Sequence, residues 1–439
     1  MKIAIVGSGI SGLSAAWALR EKHDVTVYEA RDRAGGHAHT MTIDYDGHKT
    51  NVDVGFIVYN ALNYPNLIAF FEALGVETQA SDMSFAVSDP EGYEWASNVR
   101  GIFAQKRNFF SPKFHKFWRT ILKFNDIARE ELEAGKIKDT TLGVWLNRHG
   151  FDETFRDNYI LPMAAAIWST PEADVLNYPA LSFFRFFENH RLMHKERPHW
   201  RTVTGGSQAY VTKVCDALGD RIKLGAPVKH IEPAGEQVRL KFDDAPDAVY
   251  DEVIMAIHSD QALNLLSDAF STQKFALGSV RYRPNRIFLH RDEALMPKRK
   301  AAWASWNVLK TPNSDEITLT YWMNLLQSLP KERPLFVTLN PATRPDEEKT
   351  FAEFSFDHPQ FDIAAEAAVR TLKADNGKQG LWFAGAWLGS GFHEDGLKSG
   401  LEAALSLGGE VPWEAANITL RTPERSARIV SDVSKEQAV

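Results

Sequence analysis

Two groups of residues in this chain have the types and spacing to do chemistry. Near one end stand Gly7, Gly9 and Gly12, within Gly7-Ser8-Gly9-Ile10-Ser11-Gly12, and Glu29 follows about twenty residues beyond. Near the other end His393, Glu394 and Asp395 stand in a row. Glycines at that spacing let the backbone approach a pyrophosphate and leave N–H groups free to bind it, and a carboxylate at position 29 can accept from ribose hydroxyls. His393 is of the type that titrates near neutral pH, and Glu394 can hold a proton, so both are catalytic candidates. The competing reading for Glu394 and Asp395 is structural, since carboxylates at a helix start are often caps.

The elements needed to position the glycine turn surround it. Lys2-Ile3-Ala4-Ile5-Val6 reads as a buried strand, Leu13 to Glu21 as a helix, and Val25-Thr26-Val27-Tyr28 as a second strand ending on Glu29. Strand, turn, helix and acidic strand end agree on a βαβ unit that holds a dinucleotide rather than a chance turn. Gly7 suits the tight turn, Gly9 the approach of the pyrophosphate, and Gly12 close packing of helix on sheet.

Composition narrows the class. A chain of 439 residues exceeds what one core usually supports, so two domains or one elaborated domain are expected. With 44% hydrophobic and 24% charged residues it reads as an ordinary globular protein. The net charge of −7 argues against general nucleic-acid binding. Cys215 is the single cysteine, which excludes an intramolecular disulfide and a multi-cysteine metal site, and it is read as an inert core residue. His37 and His39 lack the acidic or cysteine partners of a metal site, so none is expected. A strand starting at Lys2 leaves no room for a signal peptide, and no stretch is long and apolar enough to span a bilayer; a cytoplasmic protein is expected, with a membrane-peripheral one as the variant.

Beyond Glu29, Ala30-Arg31-Asp32-Arg33-Ala34-Gly35-Gly36-His37 resembles the ExxxRxGGR segment of the FAD-dependent amine oxidase and phytoene desaturase superfamily, with His37 where many members carry arginine. Val52-Asp53-Val54-Gly55-Phe56 resembles its D-x-G strand, which implies that Gly55 and Phe56 pass along the isoalloxazine ring. Thr204-Gly205-Gly206-Ser207 is similar to its GG turn. Leu224 to Glu232 resembles the strand, here containing Val228, whose backbone pairs with adenine. Asp251 to Ala256 resembles its D-x-V-[IV]-x-A segment. Leu381 to Gly400, with Gly385, Asp395, Gly396 and Leu397, is similar to its C-terminal flavin signature, in which a helix N-terminus points at the flavin and favours its reduced, anionic form. The resemblance covers Met1 to about Ala404 and implies non-covalent FAD on a Rossmann-like (GR2-type) α/β domain. A cysteinyl link is not expected of Cys215, while a histidyl link stays open.

Tyr321 to Gln327, Asp357 to Asp362 and Gly391 to Gly396 resemble, more narrowly, a bacterial group of NAD/FAD-binding, amine-oxidase-like proteins. Members of that group often accompany fatty-acid-modifying methyltransferases. The resemblance therefore implies hydride removal from an apolar substrate, foremost a methyl-branched fatty acyl chain. Amine oxidation by oxygen and a non-catalytic FAD module serving a lipid-modifying methyltransferase are the other readings. A second GxGxxG is absent, which favours substrate oxidation over NAD(P)H-dependent reduction.

The motif order implies an FAD-binding domain assembled from residues 1–80, 200–265 and 375–410, an α+β substrate domain from 81–199 and 266–374, and a surface tail from 411 to 439. Within the substrate domain, residues 103–124 are basic, aromatic and free of acid. Taken as one helix, they place Phe110, Phe114, Phe117, Ile121 and Phe124 on one face and lysines and arginines to the side or opposite. Such a helix either packs its aromatic face into the domain or lies on an anionic membrane. Trp382, Trp387, Trp322 and Tyr321 are read as pocket walls or as core.

Overall fold

The computed structural model describes residues 1–90, 92–168, 172–311 and 317–423. Five parallel strands form the nucleotide sheet: β1 Lys2–Val6, β2 Asp24–Tyr28, β3 Ile222–Lys223, β4 Glu252–Met255 and β5 Leu381–Phe383, side by side in the order β3-β2-β1-β4-β5. Alternate residues of β1 serve the two faces, as a strand requires. Ile3 and Ile5 enter one core, while Ala4 and Val6 enter another.

Four helices cover the first face: α1 Ile10–Leu19, α2 Pro65–Leu74, α3 Gln208–Leu218 and α4 His393–Ser406. Every residue of α1 is buried, which explains its unbroken run of small and apolar side chains. The second face packs on the antiparallel meander His230–Tyr250 and on helix Ile363–Asp375.

A separate seven-stranded sheet runs in the order Thr350–Pro359, Tyr282–His290, Phe336–Leu339, Ile317–Trp322, Trp306–Lys310, Phe85–Ser88, Glu94–Ala96. Beside it lies a helical insert with an aromatic core that includes Phe114, Phe124, Trp145, Phe155 and Phe184. Among the described residues no helix is long and apolar enough to cross a membrane.

Four sequence expectations change. The helix expected over 103–124 starts at Pro112, where Ser111 Oγ caps Phe114 N–H at 3.3 Å, and continues to Glu133. Phe114, Phe117, Ile121 and Phe124 are its buried stripe, but Phe110 belongs to the preceding 3₁₀ turn Lys106–Phe110 and is 83% exposed. Val228 lies between β3 and the meander rather than in a strand. The tail expected from 411 begins by docking: Trp413 stacks on Trp17 at 5.8 Å and Ala416 exchanges hydrogen bonds with the Asn66 side chain at 2.8 and 3.0 Å. Ile429 and Val430 lie outside the described residues. Trp382 and Trp387 are core, their indoles donating to Glu252 Oε2 and the Ile257 carbonyl, so neither walls a pocket.

Candidate active site

The turn from β1 into α1 is shaped by contacts that leave no room for side chains. Gly7 has φ +100°, and a Cβ there would stand 2.5 Å from the Ala256 carbonyl; one on Gly12 would stand 2.0 Å from the Gly7 carbonyl. Gly9 differs, because a Cβ there would meet nothing within 4 Å. That open side is the cradle. Gly35 donates its N–H to the Ser8 carbonyl at 3.0 Å, which folds Gly35-Gly36 onto Gly9. Ile10 and Ser11 open α1, whose first turn has no side-chain cap.

Glu29 stands at the end of β2, and its carboxylate accepts from Ser8 N–H at 3.0 Å, Ser8 Oγ at 2.5 Å and Arg31 N–H at 2.9 Å. The carbonyls of Glu29 and Arg31 accept from Ala226 and Gly225, which brings the approach to Val228 beside Ala30. Arg33 donates to the Gly36 carbonyl at 3.0 Å through Nη2, while its buried Nη1 has no partner. An uncapped helix start, an open Gly9 and a spare guanidinium N–H match a pyrophosphate-bearing group.

The D-x-G strand is held by Asp53. Its buried carboxylate accepts from Thr40 Oγ1 at 2.6 Å, Ser207 Oγ at 2.8 Å, Ser207 N–H at 2.9 Å and Gln327 Nε2 at 3.0 Å. Burial outweighs these donors and raises its pKa to about 6. The glycine at 55 is required by the backbone, since a Cβ there would sit 2.1 Å from the His37 carbonyl.

At the other end of the chain, α4 crosses α1 at backbone contact. A Cβ on Gly396 would meet Ile10 Cγ2 at 2.8 Å, and one on Gly400 would meet the Ser11 carbonyl at 2.2 Å. Ser399 Oγ accepts from Gly385 N–H at 2.8 Å, which ties the end of β5 to the same helix. Leu397 is core, so its neighbours rather than its own side chain reach the cradle. Asp395 accepts from the N–H groups of Ser390 and Phe392, both at 3.0 Å, and staples the loop before α4.

Glu394 is a cap for a different helix. Its oxygens accept from Asn66 N–H at 3.0 Å, Asn66 Nδ2 at 2.8 Å and Leu67 N–H at 2.9 Å, the first turn of α2. These donors engage both oxygens, which is the structural reading weighed for Glu394, with the cap made to α2 rather than to its own helix. His393 remains as the catalytic candidate. Its ring stacks on Phe56, centroids 3.8 Å apart, and its Nε2 shares a 2.7 Å hydrogen bond with the buried Tyr210 hydroxyl. Desolvation lowers the His393 pKa to about 3, so it is neutral in ordinary buffers.

Residues that motif reading missed complete the surroundings. His37 lies 5.0 Å from Phe356, 5.6 Å from His258 and 6.1 Å from His358, ring centre to ring centre. Desolvation and the neighbouring imidazoles push His37 well below the usual histidine range and His358 to about 4. His37 therefore does not replace the arginine charge of the resembled motif. His258 carried no local signal, and His358 stood within Asp357 to Asp362 with no role assigned to it; the fold gathers them from the turn after β4 and from strand Thr350–Pro359.

The model of the family described as flavin containing amine oxidoreductase matches residues 10–285. Amine oxidase [flavin-containing] B of Bos taurus is 27% identical over 255 residues, 54% of this chain and 46% of that protein. Amine oxidase [flavin-containing] A of Equus caballus is 26% identical over 255 residues, 54% and 45% respectively. The chain spans about half the length of these curated relatives. Among solved structures, putrescine oxidase bound to putrescine superposes with a TM-score of 0.67 at 17% identity, covering 92% of this chain and 98% of that one. A fatty acid isomerase from P. acnes superposes at 0.64 with 14% identity, covering 91% and 96%. Fold, glycine cradle and family match agree: the chain belongs to the flavin containing amine oxidoreductases, and its cofactor is FAD.

Proposed function

We propose that this protein oxidises an apolar substrate, foremost a fatty acyl chain, by taking two hydrogens from neighbouring carbons as a desaturase does. The observation that favours this reading is that the two acids opening α4 are engaged and the imidazoles gathered beside them are neutral. Glu394 and Asp395 are committed to backbone N–H groups, and His37, His358 and His393 are held neutral by desolvation. A site that selects an ammonium group profits from a carboxylate or an open aromatic face, whereas neutral rings suit hydrocarbon.

FAD, when bound, would accept the hydride from one carbon, and the proton lost from its neighbour would leave to solvent. The chain's own residues do the rest. Gly7, Gly9, Gly12, Gly35 and Gly36, with the spare N–H of Arg33, would hold the pyrophosphate, and Glu29 would exchange its bond with the Ser8 hydroxyl for one with a ribose hydroxyl. Phe56 and His393 form a stacked wall whose polar edge is satisfied by Tyr210, which keeps water from being recruited there. The N-terminus of α4 would offer its positive end to the bound flavin and favour the negative charge of the reduced form.

Anaerobic mixing tests the reading. Bleaching of the flavin band by a methyl-branched acyl lipid supports it; bleaching by a polyamine and not by the lipid replaces it with amine oxidation, which the curated relatives favour. No bleaching by either supports a binding module.

A further inference from the structure

We infer that the loop Asn98–Ser111 is a docking element for an anionic lipid surface, with Phe109 and Phe110 entering the acyl boundary and Arg100, Lys106, Arg107 and Lys113 meeting phosphates. Its first support is exposure. Phe110 is 83% exposed, Phe109 56% and Val99 89%, in a protein whose other aromatics largely fill cores. Its second is charge. From Trp95 to Asn125 the chain has no Asp or Glu, and the four cations named are all solvent-facing.

The loop is also built to present these rings. Asn98 Oδ1 accepts from Gly101 N–H at 2.7 Å and closes the turn that carries Val99 and Arg100. Asn108 is buried and donates to Gln105 Oε1 at 3.0 Å. His115, from the first turn of helix Pro112–Glu133, hydrogen-bonds the Phe109 carbonyl at 2.7 Å. Phe103 anchors the segment from beneath, 5.3 Å from Phe109 and 6.1 Å from Phe114. Side-chain hydrogen bonds thus fix a loop that holds two phenyl rings outward.

Beside the loop is a cavity of about 580 Å³ bordered by Lys106, Arg107, Lys298 and Arg299. Two acids also line it, Asp89 and Glu94, and Glu94 is tied to Arg299 and Ser88. With Lys106, Arg107, Lys298 and Arg299 against Asp89 and Glu94 the lining is net cationic, which suits a phosphate headgroup. Exposed aromatics flanked by cations are the composition of an interfacial anchor, and a lone polybasic or a lone aromatic patch would bind more weakly than the two together.

The test is flotation of the FAD-loaded full chain with phosphatidylcholine vesicles, with and without phosphatidylglycerol. Binding should require phosphatidylglycerol and weaken as salt is added. Variants F109S/F110S and K106E/R107E should each bind about tenfold more weakly while keeping the wild-type flavin spectrum and melting temperature. Equal binding to both vesicle types, or wild-type binding by both variants, overturns the inference. So does self-association lost in F109S/F110S with no vesicle binding, which makes the loop an interface between copies of this chain. Lipid docking does not depend on the acyl reading, since bleaching by a detergent-dispersed acyl lipid tests that reading without a bilayer.

Discussion

Phe56 and His393 lie face to face, ring centroids 3.8 Å apart and planes 8° from parallel, although one follows the D-x-G strand and the other opens the C-terminal helix. The stack removes water from an imidazole that Tyr210 already satisfies, and this is why His393 stays neutral. The rate of flavin reduction should therefore show no inflection from His393 between about pH 5.5 and 9. Wild type and H393Q should differ by a constant factor across that range; an inflection near 6.5 that H393Q abolishes would refute a neutral His393. The unfolded imidazole takes up a proton near 6.5 and the folded one only near 3, so this group costs stability as pH falls through that window.

Asp53 has the opposite sign. Its folded pKa of about 6 exceeds the ordinary 3.8, so the folded protein holds the extra proton between those values. Stability contributed by that proton is present at low pH and is lost as pH rises toward 6. Relative to D53N, the wild type should lose roughly 2–3 kcal/mol of unfolding free energy between about pH 4 and 7. Urea unfolding of both proteins across that range checks it; a constant difference would exclude the raised pKa.

Glu394 offers a separation of cap from catalyst. E394Q keeps one acceptor oxygen and should cost about 1 kcal/mol of stability, while E394A, which leaves the first turn of α2 uncapped, should cost about 2 kcal/mol. Flavin reduction by a saturating substrate should change less than about threefold in E394Q, since a proton carrier would lose far more. A loss of about a hundredfold with an unchanged melting temperature would restore the catalytic reading.

Gly12 is the position where a single methyl group should empty the cradle. In G12A the new Cβ would stand 2.0 Å from the Gly7 carbonyl, so α1 must retreat from the turn that faces the pyrophosphate. The purified variant should carry less than about a tenth of the wild-type flavin per chain while its far-ultraviolet circular dichroism is kept. Full flavin content would show that the turn yields without moving the helix.

Trp413 should prove part of the fold. Its ring stacks on Trp17 at 5.8 Å and approaches Phe70 at 6.1 Å. W413A should cost about 2 kcal/mol, below the range for a fully buried tryptophan, with the flavin spectrum unchanged. An unaltered melting temperature would return residues 411–423 to the status of a loose tail.

What could be read from sequence is what neighbouring residues enforce on one another. Gly7, Gly9 and Gly12 mark a turn because the steric demand acts within a few positions, and β1, α1 and β2 follow from local pattern. The Ser111-Pro112 helix start was equally local, but the aromatic composition upstream concealed it, and Phe110 was placed on a helix face it never joins. Contacts between distant segments leave no such trace. Glu394 and Asn66 are 328 positions apart, and Tyr210 and His393 are 183 apart, so their roles emerge only when α2, α3 and α4 pack together. Trp413, Ala415 and Ile418 lack periodicity because they fill gaps on an existing surface rather than building an element.

The crossing of α1 and α4 also sets an order of events in synthesis. Ser14 and Leu397, joined across that crossing, are 383 positions apart, and the ribosome makes α4 long after the first strand has emerged. The glycine turn must then wait, lacking the helix that clamps it, through translation of nearly everything between. Flavin capture should be a late step, and chains stalled before residue 393 should emerge colourless in the presence of FAD, their amino-terminal strands open to chaperones in the meantime.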